Sequence, residues 1–358
     1  MVQSSKLKVQ SFVSRCNEKF AAFEPVLLNL KLQILLLFFA ASVFGQDIHY
    51  SQFFFAPANY NPAHIGDFNG DYRFVGNERR QWASVTLPYQ TFAGAIDAHD
   101  FLKVKGLGVL FSFQNDNTGD SHFISTLCNV GSSYRVTTSA RSNFVFGAQA
   151  GFSNKQFATK DLKYDNQYNG FYYDPSIGSI ENFDKLSTTY FNLNAGAKWN
   201  WQMNDKGKLM LGASVYNITQ PRESFLQNMN VRLDRRYNIE MGIEYRLAPK
   251  WSLLPKVLMS FQGKYAEYLI GSMVQYDFIT EPFNEWKILG GAWGRSSDAG
   301  NLFAGLMYNN WTFGASYDIN FSNLVPASQY RGGLELAVIY IWRKAVERTH
   351  YKVCPKFL

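Results

Sequence analysis

The sequence predicts an all-β protein, a transmembrane antiparallel up-and-down β-barrel of about fourteen strands. Three observations carry this expectation. Segments with a side-chain period of two recur along the chain, they are long enough to cross a membrane, and their connections alternate between long and short. The period is clearest in residues 190–201, YFNLNAGAKWNW. Phe191, Leu193, Ala195, Ala197, Trp199 and Trp201 form one comb, and Asn192, Asn194, Gly196, Lys198 and Asn200 form the other. Only an extended strand sends successive side chains to opposite faces. A register slip of one residue would turn the polar comb outward. In lipid, Lys198 alone would then cost about 2–4 kcal/mol near the midplane.

The same alternation marks out the other strands in chain order: residues 71–76, 91–98, 107–114, 123–136 and 141–152, then 190–201, 208–217, 237–245 and 251–262, then 268–278, 286–293, 302–308, 311–319 and 332–342. In 141–152, Phe144, Phe146, Ala148, Ala150 and Phe152 oppose Asn143, Gly147 and Gln149. In 237–245, Tyr237 and Tyr245 bracket Ile239, Met241 and Ile243, against Asn238, Glu240, Gly242 and Glu244. In 311–319, Trp311, Phe313, Ala315, Tyr317 and Ile319 oppose Thr312, Gly314, Ser316 and Asp318. Tyr and Trp favour the headgroup level, so rings at strand ends read as membrane girdles.

Length separates a barrel from a soluble β-sandwich, which alternates in the same way. An apolar band of about 25 Å crossed at about 45° needs about eleven residues, whereas soluble strands average about five or six. The connections give an independent check. Residues 77–90, 154–186 and 218–235 are long, whereas 137–140, 202–207, 246–250 and Asn309-Asn310 are short. Outer-membrane barrels pair long outer loops with short periplasmic turns, and this parity places the C-terminal tail on the periplasmic side.

Composition bounds the class. The chain has 358 residues, 17% of them aromatic, and carries a net charge of +7. No apolar run beyond the N-terminal region approaches the length of a spanning helix. Residues 1–45 hold Lys6, Lys8, Arg15, Lys19 and Lys31, then LQILLLFFAASVFG with small residues at its end. They read as a signal peptide cleaved before Gln46, with an N-terminal membrane anchor as the alternative and the start codon open. Export leaves Cys128 and Cys354, which are no disulfide framework, and makes nucleic acid an unsuitable partner despite the basic balance. The expected organisation is a signal peptide (1–45), an aromatic-rich periplasmic lead-in (46–70), the barrel (71–343) and a basic periplasmic tail (344–358).

The lead-in, with Pro57, Pro62 and Gly66, has no sustained period. About fourteen strands enclose more space than side chains alone fill, so the lead-in or the 154–186 connection is a candidate plug. The expected lumen-facing charges are Lys198, Glu240, Glu244, Lys256, Asp318 and Glu335, of both signs and able to pair.

No residue pattern points to catalysis, a metal or a cofactor. His49, His64, His99, His122 and His350 lack ligand spacing and are expected at the surface. Ser121-His122 lacks a nucleophile elbow, and NDNTGD at 115–120 reads as a polar turn rather than a calcium loop. Partner docking is the candidate role of two groups. Arg79, Arg80 and Trp82 lie in or at the rim of the first outer loop, where girdle and headgroup contacts are the alternative. In the basic tail the candidates are Arg348, Tyr351, Lys352, Cys354 and Phe357.

The stretch from Gln46 carries further recurring features: SQF at 51–53, NPA at 61–63, Gly-x-Tyr-Arg at 70–73, Gln81-Trp82 and Pro88-Tyr89. With FNLNAGAKW, GASVYNITQPRESF, SYDINFSNLVPAS and the closing CPKF, it resembles the PorP/SprF family of Bacteroidetes outer-membrane proteins. The resemblance implies a component of the type IX secretion and gliding machinery. It implies outer-membrane lipid as surroundings, periplasmic type IX secretion proteins as partners, and a large secreted surface adhesin as possible cargo. An outer-membrane channel or small-solute transporter is the alternative.

Overall fold

The computed structural model describes residues 50–81, 87–119, 123–158, 164–174, 176–177, 186–225, 231–281, 284–296, 298–322 and 325–344. The strands are β1 (Tyr72–Gln81), β2 (Tyr89–Ala98), β3 (Leu107–Thr118), β4 (Phe123–Ser139), β5 (Ser142–Gln156), β6 (Ser187–Asn204) and β7 (Gly207–Tyr216). They continue as β8 (Arg236–Ala248), β9 (Trp251–Gln262), β10 (Tyr265–Glu281), β11 (Asn284–Arg295), β12 (Ala299–Tyr308), β13 (Trp311–Asn320) and β14 (Arg331–Trp342). Each pairs antiparallel with its sequence neighbours, and β1 pairs with β14 from Tyr72↔Trp342 to Gln81↔Gly333, closing the barrel. All the expected strands are present. Closure removes every sheet edge, so each backbone group in the wall finds a partner without water.

The two combs separate as their chemistry requires. On β6, Leu193 is 40% exposed and Asn194 only 4%. Phe92, Phe111, Phe152, Ile239, Ile270 and Leu302 are exposed on the outer face, while Asn77, Ser133, Gln149, Asn238 and Ser316 are buried inside. Among the described residues no helix is long and apolar enough to span a membrane. A belt of paired rings marks one edge: Tyr72 with Trp342, Trp311 with Tyr340, Trp286 with Tyr308 and Trp251 with Tyr276, at centroid separations of 4.4–5.6 Å.

That edge carries two-residue turns at 140–141, 205–206, 249–250 and 309–310, with Asn309 at φ 50°. The opposite edge carries the long connections 157–186 and 217–235, and a ten-residue one, 321–330, with the short helix α1 (Val325–Ser328). Four connections depart from the parity. Residues 99–106 form a longer loop at the short-turn end, while 119–122, 263–264 and 296–298 are short at the other, with Gly263 at φ 57°. Two expected loops are largely strand. Residues 77–81 continue β1, and Asn115 to Thr118 continue β3, because their polar side chains have a wet lumen to face. Asp116, for example, accepts from Thr91 Oγ1 at 2.5 Å.

Candidate functional site

The site is the lumen and what fills it. Of the two candidate plugs, residues 50–70 lie among the lumen side chains. In the 157–186 connection, Tyr168, Phe171 and Tyr172 are exposed. Proline explains why the lead-in is not a fifteenth strand: Pro57 and Pro62 each open a single 3-10 turn, and the Asn61 side chain accepts from Ala63 N at 2.9 Å. The chain thus coils inside the barrel instead of joining the ladder.

Three aromatic residues form the apolar half of the plug. Phe53, Phe54 and Phe55 meet an inward patch on β9 to β12 that includes Leu258, Leu269, Met273, Leu289, Trp293 and Phe303. Phe54 stacks on Trp293 at 4.8 Å and meets Phe303 edge-on at 5.0 Å. Tyr60 extends this cluster, and its ring joins the two ends of the segment. Tyr50 N donates to the Tyr60 hydroxyl at 2.7 Å, and that hydroxyl donates to Tyr50 O at 3.2 Å. Burial pushes the Tyr60 phenol up, so it stays a donor.

The first polar cluster lies toward the long-loop end. Glu335 accepts from Ser51 N at 2.7 Å and Gln52 N at 3.0 Å, and its own carbonyl accepts from the Gln52 side-chain amide at 2.7 Å. Asp318 accepts from Ser51 Oγ, Arg79, Arg295 and Asn301 at 2.7–2.8 Å. Carboxylates buried in this way persist because cations and backbone donors replace their water.

A second cluster lies toward the short-turn end. Lys198 Nζ donates to His64 Nδ1 at 2.9 Å, and the His64 Nε2 proton is shared by the two Glu240 oxygens at 2.8 and 2.9 Å. Burial pushes the imidazole pKa below its ordinary value, against the pull of Glu240, and Lys198 opposes protonation further. The ring is therefore neutral, with its proton on Nε2. Glu240 also accepts from Asn61 Nδ2 at 2.7 Å. Asp67 ion-pairs with Lys198 and with Arg135, the latter at 2.5 Å. Burial alone would raise the Asp67 carboxyl, but those two cations hold it well below the usual range. Asp97 accepts from Gly66 N at 2.8 Å and from Arg73 at 2.6 Å.

Glycine makes room for this segment. A Cβ on Gly147 would run into the Pro62 carbonyl, and one on Gly196 into the Asn61 side chain. Glycine inside a strand often marks such a close backbone approach. Gly147 and Gly196 were the readable signal for a plug.

The predicted residues fare differently. Lys198, Glu240, Asp318 and Glu335 join the two clusters. Lys256 faces inward with its ammonium 5.5 Å from the Phe54 ring centre, and Glu244 stands exposed, 3.5 Å from Lys208. Arg79 requires correction: it sits within β1 with a side chain 1% exposed, because Asp318 and Glu335 need a cation, and it presents nothing to a partner. His64 is buried rather than at the surface. His99 is partly buried, bonded to Gly66 O at 2.7 Å. Arg80 is exposed on the outer face. Trp82, Arg348, Tyr351, Lys352, Cys354 and Phe357, with His49, Ser121, His122 and His350, lie outside the described residues.

Among solved structures, the chain is similar to the toluene transporter TbuX of Ralstonia pickettii, with a TM-score of 0.50 and 9% identity over 80% of this chain and 92% of that one. The toluene transporter TodX of Pseudomonas putida matches with a TM-score of 0.48 and 7% identity, over 82% and 94% respectively. At such identities the likeness is one of barrel fold. No curated protein matches by sequence. Residues 42–340 match the type IX secretion system membrane proteins PorP/SprF, and the barrel described above, with most of its length inside that match, belongs to the PorP/SprF family.

Proposed function

We propose that the protein is a non-enzymatic docking component of type IX secretion, set in outer-membrane lipid by its apolar outer comb. Its short turns and the tail 344–358 face the periplasm and meet secretion-apparatus proteins. Its long loops, with Arg80 and Trp82 near their base, face outward and meet a secreted surface adhesin. The observation that supports this reading over a channel is the occupied lumen. Residues 50–70 run through it and are tied at both ends by buried carboxylates and cations. A passive pore keeps such a path open and lines it with water. A filled barrel leaves its edges as the working surfaces.

Two measurements test this. Deleting residues 348–358 should abolish recovery of periplasmic secretion proteins with the barrel while the heat-modifiable gel band of a folded barrel persists. Undiminished recovery overturns the tail as anchor. The intact protein in planar bilayers should be electrically silent, and a steady open conductance favours the transporter reading instead.

A further inference from the structure

Below the His64 cluster the lumen is not full. A cavity of about 730 Å3 opens at the short-turn end, reaching from His64, Asp67 and Lys256 to Gln202, Lys208 and Glu244. That size is typical of sites holding a short peptide or a small organic ligand.

Lys256 gives this cavity its chemistry. It faces inward from β9, paired with Gly242 on β8, where a Cβ would stand 3.7 Å from the Lys256 side chain and 3.2 Å from Met210. Four other inward cations meet acids: Arg73 meets Asp97, Arg79 and Arg295 meet Asp318, and Lys198 meets Asp67. Among the described residues no carboxylate lies within ion-pair distance of the Lys256 ammonium, which stands 5.5 Å from the Phe54 ring centre and feels Glu240 and Glu244 only from farther off. A cation placed in a confined wall without an anion carries a desolvation cost that an incoming carboxylate would offset.

The mouth has the same sign. The hairpin ends around it carry Arg141, Lys206, Lys208, Arg246 and Lys250 against Asp205 and Glu244. Such an excess draws anions toward the opening. Asp67 on the floor is already neutralised by Lys198 and Arg135 and repels little. The walls combine the amides of Asn143, Asn200 and Gln202 with apolar Leu254. Amides suit a peptide backbone, and the ammonium meets a carboxylate as a point charge.

We propose that this cavity binds an acidic peptide segment, with a carboxylate of the segment on Lys256. That the segment comes from a periplasmic partner rests on the docking reading above; the site itself does not.

The test uses the purified full-length barrel in detergent and a fluorescein-labelled hexaglutamate peptide followed by fluorescence polarisation. Saturable binding is expected, weakened at least tenfold by Lys256→Gln and changed less than twofold by Lys105→Gln, an exposed lysine outside the cavity. Gly242→Leu fills the space before Lys256 without removing charge and should weaken binding similarly, which keeps the proposal testable if one variant fails to fold. Folded variants that bind as tightly as the parent overturn the site. Displacement of the peptide by citrate at equal concentration overturns the peptide assignment in favour of a small carboxylate. Because only synthetic peptide and barrel are present, failure here leaves the tail-deletion result untouched, and the reverse holds as well.

Discussion

Arg79 on β1 and Asp318 on β13 meet at 2.8 Å although β14 runs between their strands, so the pair reaches over Glu335 on the lumen face. Arg79→Met would leave Glu335 without its arginine and Asp318 dependent on Arg295. Removing one partner of a buried pair costs about 3–5 kcal/mol. The urea midpoint of the folded gel band should fall accordingly, and by less in Arg79→Lys. A change below about 1 kcal/mol would rank the pair with exposed ones.

His64 predicts a pH response. Its folded-state pKa lies below the ordinary imidazole value of about 6.5, so its stabilising contribution is complete above that pH and is lost as pH falls through the folded value. The groups facing it are Lys198, Glu240 and Asp67. The acid Asp67, held low, contributes in the same direction only below the usual carboxylate range. Between pH 7.5 and 5 the heat-modification temperature should therefore drop in the parent and stay nearly level in His64→Asn. Parallel profiles would remove His64 from this role.

Gly147→Val tests whether the plug seals the barrel. Its side chain would occupy the position of the Pro62 carbonyl, whereas the β4–β5–β6 pairing has no need of a glycine there. The folded band should persist, and bilayer conductance should appear as the segment is displaced. A silent, folded variant would mean that the seal lies elsewhere.

Adjacent residues on β8 should respond oppositely to polarity. Ile239 is 52% exposed on the outer face, and Ile239→Arg should cost about 2–4 kcal/mol in vesicle refolding if its depth is near the midplane. Asn238 faces inward, donates to Tyr60 O at 2.7 Å and accepts from Ser260 Oγ at 2.8 Å, so Asn238→Leu should cost about 1–3 kcal/mol by leaving the Ser260 hydroxyl without its acceptor and Tyr60 O with Ser214 alone. Tolerance of Arg at 239 would contradict lipid contact there.

The wall was legible because period two repeats in every strand and the turns between them are short enough to locate. The contents of the barrel were not. The segment 50–70 has no period, so nothing local says whether it lies beside the barrel or within it. The inward apolar patch on β9 to β12 breaks the outside-apolar rule. In 268–278, Leu269 and Met273 face inward while Ile270 and Val274 face outward, and both faces look alike in sequence. Arg79 and His64 were misplaced because their partners are distant in sequence: Asp318 is brought close by barrel closure and Glu240 by the seating of segment 50–70 in the lumen. Gly147 and Gly196, read only as members of the polar combs, held a signal that went unused, since glycine at mid-strand often marks a close backbone approach.

Gln52 and Glu335 stand 283 positions apart, yet each completes the other. The segment that leaves the ribosome among the first cannot satisfy its buried donors until the final strand has closed against β1. A chain cut short before β14 therefore has two defects at once, an open seam in the wall and a loose strand of aromatic residues at its centre. Seating of the plug is thus a built-in record that synthesis and closure have both been completed.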